Sequence, residues 1–131
     1  AIGLPSLVAP GDGETPVEVN RAATRSPLWA GEHGGEAFLA TAVTAPEVVE
    51  LWDWSLALGD AHASEPHVAG TRELLTVIEG EVVLSVAGEE SVLHPGDAAS
   101  FHGDVAHGYR NDAAAPARFA LTVYEPRAGR R

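Results

Sequence analysis

The chain contains no cysteine, no methionine and no lysine. Without cysteine there is no disulfide framework and no thiolate metal site, which fits a reducing compartment and an expected cytoplasmic location. Without lysine, all 8 cationic residues are arginine, against 19 acidic ones, and the formal charge is −11. Gripping nucleic acid needs a basic face, so this balance argues against the chain holding DNA with its own surface. No apolar run approaches a membrane span, and no signal peptide is visible. The missing initiator Met leads to the expectation that the chain begins inside a longer product; simple removal of Met before Ala1 is the alternative.

A chain of 131 residues, 45% hydrophobic, has the size and composition of a single globular domain. Residues 1–9 (AIGLPSLVA) form a short apolar piece, too short to fold alone. Residues 10–16 (PGDGETP) read as a turn-rich linker, and residues 17–131 as the domain proper. Within it, apolar runs of strand length recur between Gly and Pro turns. Phe38 to Val43, Val48 to Leu58, Leu74 to Ile78, Val82 to Val86, Ser91 to Leu93, Ala98 to Phe101, Ala106 to Arg110 and Arg118 to Tyr124 are the expected strands. The segment from Gly59 to Glu65 reads as a loop. No convincing long helix is present. Short strands in close succession predict an all-β fold, an antiparallel barrel or sandwich.

Alternation assigns faces. In the run VVELWDWSLAL, Trp52, Trp54 and Leu56 share one side, and Leu51, Asp53 and Ser55 the other. Glu73, Leu75 and Val77 likewise share a face. His67 lies just before that strand and His107 on a later one. Two imidazoles and one carboxylate from different strands can converge in a barrel mouth and hold a divalent transition metal (Zn, Fe, Mn or Ni) with positions left open. An equally plain reading makes His67 and His107 partly buried hydrogen-bonding residues with Glu73 as their counter-charge. Trp52, Trp54, Phe101 and Tyr109 can serve as ligand-pocket walls or as core aromatics, and His102 is expected to join them in the pocket. His62 or His102 could add a fourth nitrogen, and His102 is preferred because it shares a segment with His107.

These residues resemble the two motifs of the cupin superfamily. His67, Glu73 and Gly80 match the first, with Ala69 where the pattern has a second His; Gly96, His107 and Asn111 match the second, with His102 and Asp104 where it has Pro and Gly. The resemblance implies a cupin-type antiparallel β-barrel (jelly roll). Residues 64–111 are similar, in particular, to the C-terminal sensor domain of bacterial regulators with a phage-repressor-type helix-turn-helix domain. That likeness implies that residues 1–9 are the remnant of an upstream helix-turn-helix domain. It also implies a homodimer that binds a small-molecule effector and meets operator DNA only through that upstream domain. The alternative is a small metal-dependent cupin enzyme, a dioxygenase or isomerase. The sensor is favoured, since no general base stands apart from the ligand set.

Overall fold

The computed structural model describes residues 16–126. The segments read as domain remnant and linker, residues 1–9 and 10–16, lie outside the described residues apart from Pro16. After a single 3-10 turn, Ala22–Thr24, the described chain is built of strands. They are β1 (Trp29–Ala30), β2 (Glu36–Val43), β3 (Val48–Leu56), β4 (Ala61–Ser64), β5 (Arg72–Glu79), β6 (Val82–Val86), β7 (Glu89–Leu93), β8 (Ala98–His102), β9 (His107–Arg110) and β10 (Ala117–Glu125). Six form one sheet in the order β1-β2-β3-β10-β5-β8, and four form a second in the order β4-β9-β6-β7. Every pairing is antiparallel.

The alternation expected from the sequence positions the core. On β3, Trp54 and Leu56 are buried while Leu51 is exposed. On β5, Glu73, Leu75 and Val77 are buried between exposed Leu74, Thr76 and Ile78. The register aligns these faces in rows across the larger sheet. Ala37, Trp54, Phe119 and Val77 make one row, and Trp52, Leu121, Leu75 and Ala99 the next. The rows meet Val82, Leu84 and Tyr109 of the smaller sheet in one apolar cluster. Fully burying each such side chain contributes on the order of 1.5–3 kcal/mol.

The short β1 is an addition to the expected strands, β2, β5 and β7 start two residues earlier than expected, and two further segments differ. The strand expected through Leu58 ends at Leu56, and the segment read as a loop contains β4. Ala-His-Ala-Ser has little strand propensity of its own; its order comes from pairing with β9, Ala61 opposite Arg110 through Ser64 opposite His107.

The bend between β3 and β4 is held by a buried carboxylate. Asp60 accepts backbone N–H bonds from His33 (2.7 Å), Gly35 (2.7 Å) and Ala57 (2.8 Å). This ties the loop before β2 to the end of β3. A Cβ at Gly31 or Gly35 would lie 2.5 Å from an Asp60 carboxylate oxygen, so only glycine lets the backbone come this close. Asn111 closes the same end: its side chain donates to Leu56 O and Ala115 O and accepts from the Ala113 N–H.

Burial alone would raise the Asp60 pKa, but the three N–H donors outweigh it and hold it below the usual 3.8. A depressed folded value means that the contribution is fully present above 3.8 and is lost as pH falls through the folded value. Asp60→Asn removes the charge and one acceptor oxygen. It is expected to cost about 3 kcal/mol in urea unfolding at pH 7, with the gap to the parent narrowing below the usual Asp pKa. A pH-independent difference under about 0.5 kcal/mol would show that the carboxylate does not hold the bend.

Candidate functional site

The polar residues on the inner faces gather around Glu73. Its side chain is fully buried, and it faces the second sheet. Tyr109 Oη donates to Glu73 Oε1 at 3.0 Å. His107 Nε2 lies 3.1 Å, and His67 Nε2 3.3 Å, from Glu73 Oε2. One donor atom from each of His67, Glu73 and His107 falls within 4.8 Å of the others. Each reaches this point for a local reason. Glu73 is an inward position of β5. His107 and Tyr109 are alternate residues of β9. His67 stands on the loop that leads to β5, its backbone N–H bonded to Gly103 O at 2.9 Å. Gly103 packs so tightly here that a Cβ on it would lie 2.6 Å from Glu73 Oε2.

The second ring nitrogen of His107 sets its tautomer. Nδ1 lies 2.8 Å from the Val105 carbonyl oxygen, which can only accept, so Nδ1 carries the proton. In the neutral ring Nε2 then presents a lone pair. Glu73 Oε2 and His107 Nε2 are close but not aligned as donor and acceptor, and both are buried without a hydrogen-bond partner. With His107 neutral, these two acceptors beside a second imidazole, that of His67, are a donor set that fits a divalent transition metal, with the Val105 contact orienting one ligand. Burial works against a charged His107, but Glu73 and the Val105 carbonyl outweigh it, and the pKa is raised. Burial, and then the charge of Glu73, push the Tyr109 phenol well above its ordinary value.

A cavity of about 270 Å³ adjoins Glu73 and His67. Trp52, Trp54 and Tyr109, expected as pocket walls, line it. Trp29, Glu50 and Glu125, which the sequence did not mark, also line it, as does His62, the less favoured candidate for a fourth nitrogen. Trp29 sits on a two-residue strand, and no periodicity marks so short an element. Glu50 and Glu125 do continue the inward alternation of β3 and β10, a signal that was present.

Phe101 lies behind the cavity rather than along it. It is buried, opposite Glu73 in the register, and packs 5.7 Å from the His107 ring. His102 points the other way, because it follows an inward residue on the same strand. Its side chain is 65% exposed, and its nearest acidic partner is Asp104 at 3.9 Å. The expectation that His102 joins the pocket, or adds a fourth nitrogen in preference to His62, therefore does not match its position. Of these two, His62 is the one on the cavity wall, where His67 also lies; its ring is stacked on Tyr109 at 15° and is 5.1 Å from Trp54. Arg110 is engaged with Glu90 and Asp112 away from this cavity.

Comparison with known proteins agrees with the all-β fold. The chain is 36% identical over 78 residues to an HTH-type transcriptional regulator, SutR, of Escherichia coli K12, over 60% of this chain and 44% of that protein. It therefore spans less than half the length of that relative. It is 35% identical to the solved cupin domain of an XRE family transcriptional regulator from Enterobacter cloacae, with a TM-score of 0.59 over 60% of this chain and 83% of that one. An HTH_3 family transcriptional regulator from Vibrio cholerae is 25% identical, with a TM-score of 0.65 over 71% of this chain and 52% of that one. The Cupin domain family model matches residues 52–124, more than half of the chain and all three residues of the His–Glu–His cluster, and the chain belongs to that family.

Proposed function

We propose that this domain is the small-molecule-sensing and dimerisation part of a bacterial helix-turn-helix transcriptional regulator, acting in the cytoplasm. The observation that carries this reading is the sequence likeness, 35–36%, to two such regulators. The site supports it: a sensor needs a cavity with polar handles, and the Trp-walled space beside Glu73 supplies one. Ligand binding there acts on both sheets, because Glu73 belongs to one and His107 and Tyr109 to the other. Such a change can alter how two upstream DNA-binding domains sit on their half-sites.

The outer face of the larger sheet supports pairing. Leu51 and Leu74 are exposed there beside Thr76, Ala98, Ser100, Ala120 and Thr122, with no charged residue among them. A second copy would cover this apolar area in an isologous contact.

His67, Glu73 and His107 would hold a divalent transition metal (Zn, Fe, Mn or Ni) in the same domain. When bound, it supplies a Lewis-acid contact to an oxygen or nitrogen of the ligand. A second reading, a small metal-dependent enzyme, gains one observation. His62 lines the cavity apart from the triad, and burial first, then His107 and His67, lower its pKa, so it stays a neutral base.

Three outcomes test these readings. The gene product carrying this chain is expected to retard DNA from upstream of its own gene in a salt-dependent way, whereas the 131-residue chain alone is not. The chain should sediment at about twice 13.6 kDa, and Leu74→Glu should sediment as monomers at concentrations where the parent is paired. Adding Zn at roughly 100 times its Kd to chelated protein should stabilise it by about 2.7 kcal/mol. Glu73→Gln and His107→Ala should abolish that gain. A metal-induced gain in both variants would remove the triad as the metal site.

A further inference from the structure

The cavity lining carries a one-sided chemistry. Glu50, Glu73 and Glu125 are its acidic residues, and no Arg lines it among the described residues. Its aromatic walls are the indoles of Trp29, Trp52 and Trp54 and the Tyr109 phenol, with the imidazoles of His62 and His67 beside them. Trp29 and Trp54 have ring centroids 5.0 Å apart, and Trp52 and Trp54 6.4 Å.

The register shows how two of the carboxylates come together. Glu50 of β3 is directly opposite Val123 of β10, and Glu125 lies two residues further along the same face. Such diagonal neighbours stand about 7–8 Å apart, within reach of long side chains. Both are partly exposed and line the cavity, Glu50 at the edge of the Trp52 ring. Glu50 Oε1 accepts the Trp52 indole N–H at 2.9 Å, which fixes that carboxylate beside the ring and leaves its second oxygen for another donor.

Deeper in, Trp54 Nε1 is an indole donor with no acceptor, on a side chain 5% exposed that lines the same cavity. A buried N–H left unmade is costly, so this atom marks a place for an acceptor on a bound molecule.

We propose that the cavity takes a small organic cation, an amine or quaternary ammonium compound, with its charged nitrogen between Glu50 and Glu125 over the Trp52 face. An acceptor atom at its other end meets Trp54 Nε1–H. This inference rests on the sensing reading and specifies its ligand class. Aromatic faces attract a desolvated cation through the ring quadrupole, and the two carboxylates add direct attraction. An anionic molecule would meet the Glu50 and Glu125 carboxylates and find no guanidinium; the basic side chains of the lining are the imidazoles of His62 and His67, the latter 3.3 Å from Glu73.

The test uses the 131-residue chain after chelation and reads tryptophan fluorescence and calorimetry. The probes are choline, n-butylammonium, the uncharged isostere of choline with carbon in place of nitrogen, and the carboxylate of matching shape. Choline or n-butylammonium should saturate the signal at least about tenfold more tightly than the uncharged isostere. Glu50→Gln and Glu125→Gln should each weaken cation binding by about tenfold, and the pair together should bring it to the level of the isostere. Glu50→Gln keeps an oxygen for the Trp52 N–H, so a loss reports charge rather than misfolding. Equal or tighter binding of the isostere or the carboxylate overturns the cation class and leaves the sensing pocket standing. Undiminished choline binding in the double variant overturns the placement of the charge between Glu50 and Glu125. Saturable binding by none of the probes overturns the cation class and counts against the sensing pocket with it.

Discussion

The carboxylate of Glu73 is the point on which the two sheets depend. It projects from the larger sheet and meets Tyr109 and His107 of the smaller one, at a depth where its side chain has no exposure. A charge so placed costs several kcal/mol unless its lone pairs are met. Tyr109 meets one oxygen. The other faces two imidazole nitrogens and has no aligned donor. The fold has thus put a strong, incompletely satisfied acceptor at the inner end of a cavity, where a core built only for stability would carry a leucine.

Around this point the barrel divides its labour by face. Inward positions of β3 and β10 run from the apolar pairing of Trp54 with Phe119, stacked at 9°, outward to Glu50 and Glu125 at the mouth. The closed end is kept shut by Asp60 and Asn111, which satisfy turn backbones that would otherwise be buried unpaired. Rigidity at that end and partial satisfaction at the other are complementary.

The strands were legible because their signal is local. Alternation in VELWDW and RELLTV reports a half-buried sheet whatever lies opposite, and the Gly and Pro turns separate the runs. The triad was legible for a different reason: His67, Glu73 and His107 occupy motif positions, and the structure brings them within 4.8 Å. What escaped was information held by partners. β4 is a strand only because β9 lies beside it, so His62 was read as a loop residue. His102 was preferred over His62 on nearness in sequence, yet adjacent residues on a strand face opposite sides, and Phe101 took the inward position. The three backbone donors of Asp60 come from segments up to 27 residues away, and no local pattern carries that.

The departure at Ala69 takes its meaning from these contacts. Where the cupin pattern has a second histidine, this chain offers a methyl group, exposed beside His67. The donor set is therefore three side chains rather than four, and one of them, His67, keeps 35% of its side chain exposed at the rim. A set that is thinner and partly solvated holds an ion less tightly than a closed four-ligand cage, since fewer charge-bearing donors share the cost of its dehydration. At the same time it leaves the space next to Glu73 accessible from the Trp-lined side. On the proposed sensing reading, a set of three donors rather than four leaves ligand recognition to the aromatic faces and the carboxylates that line the cavity.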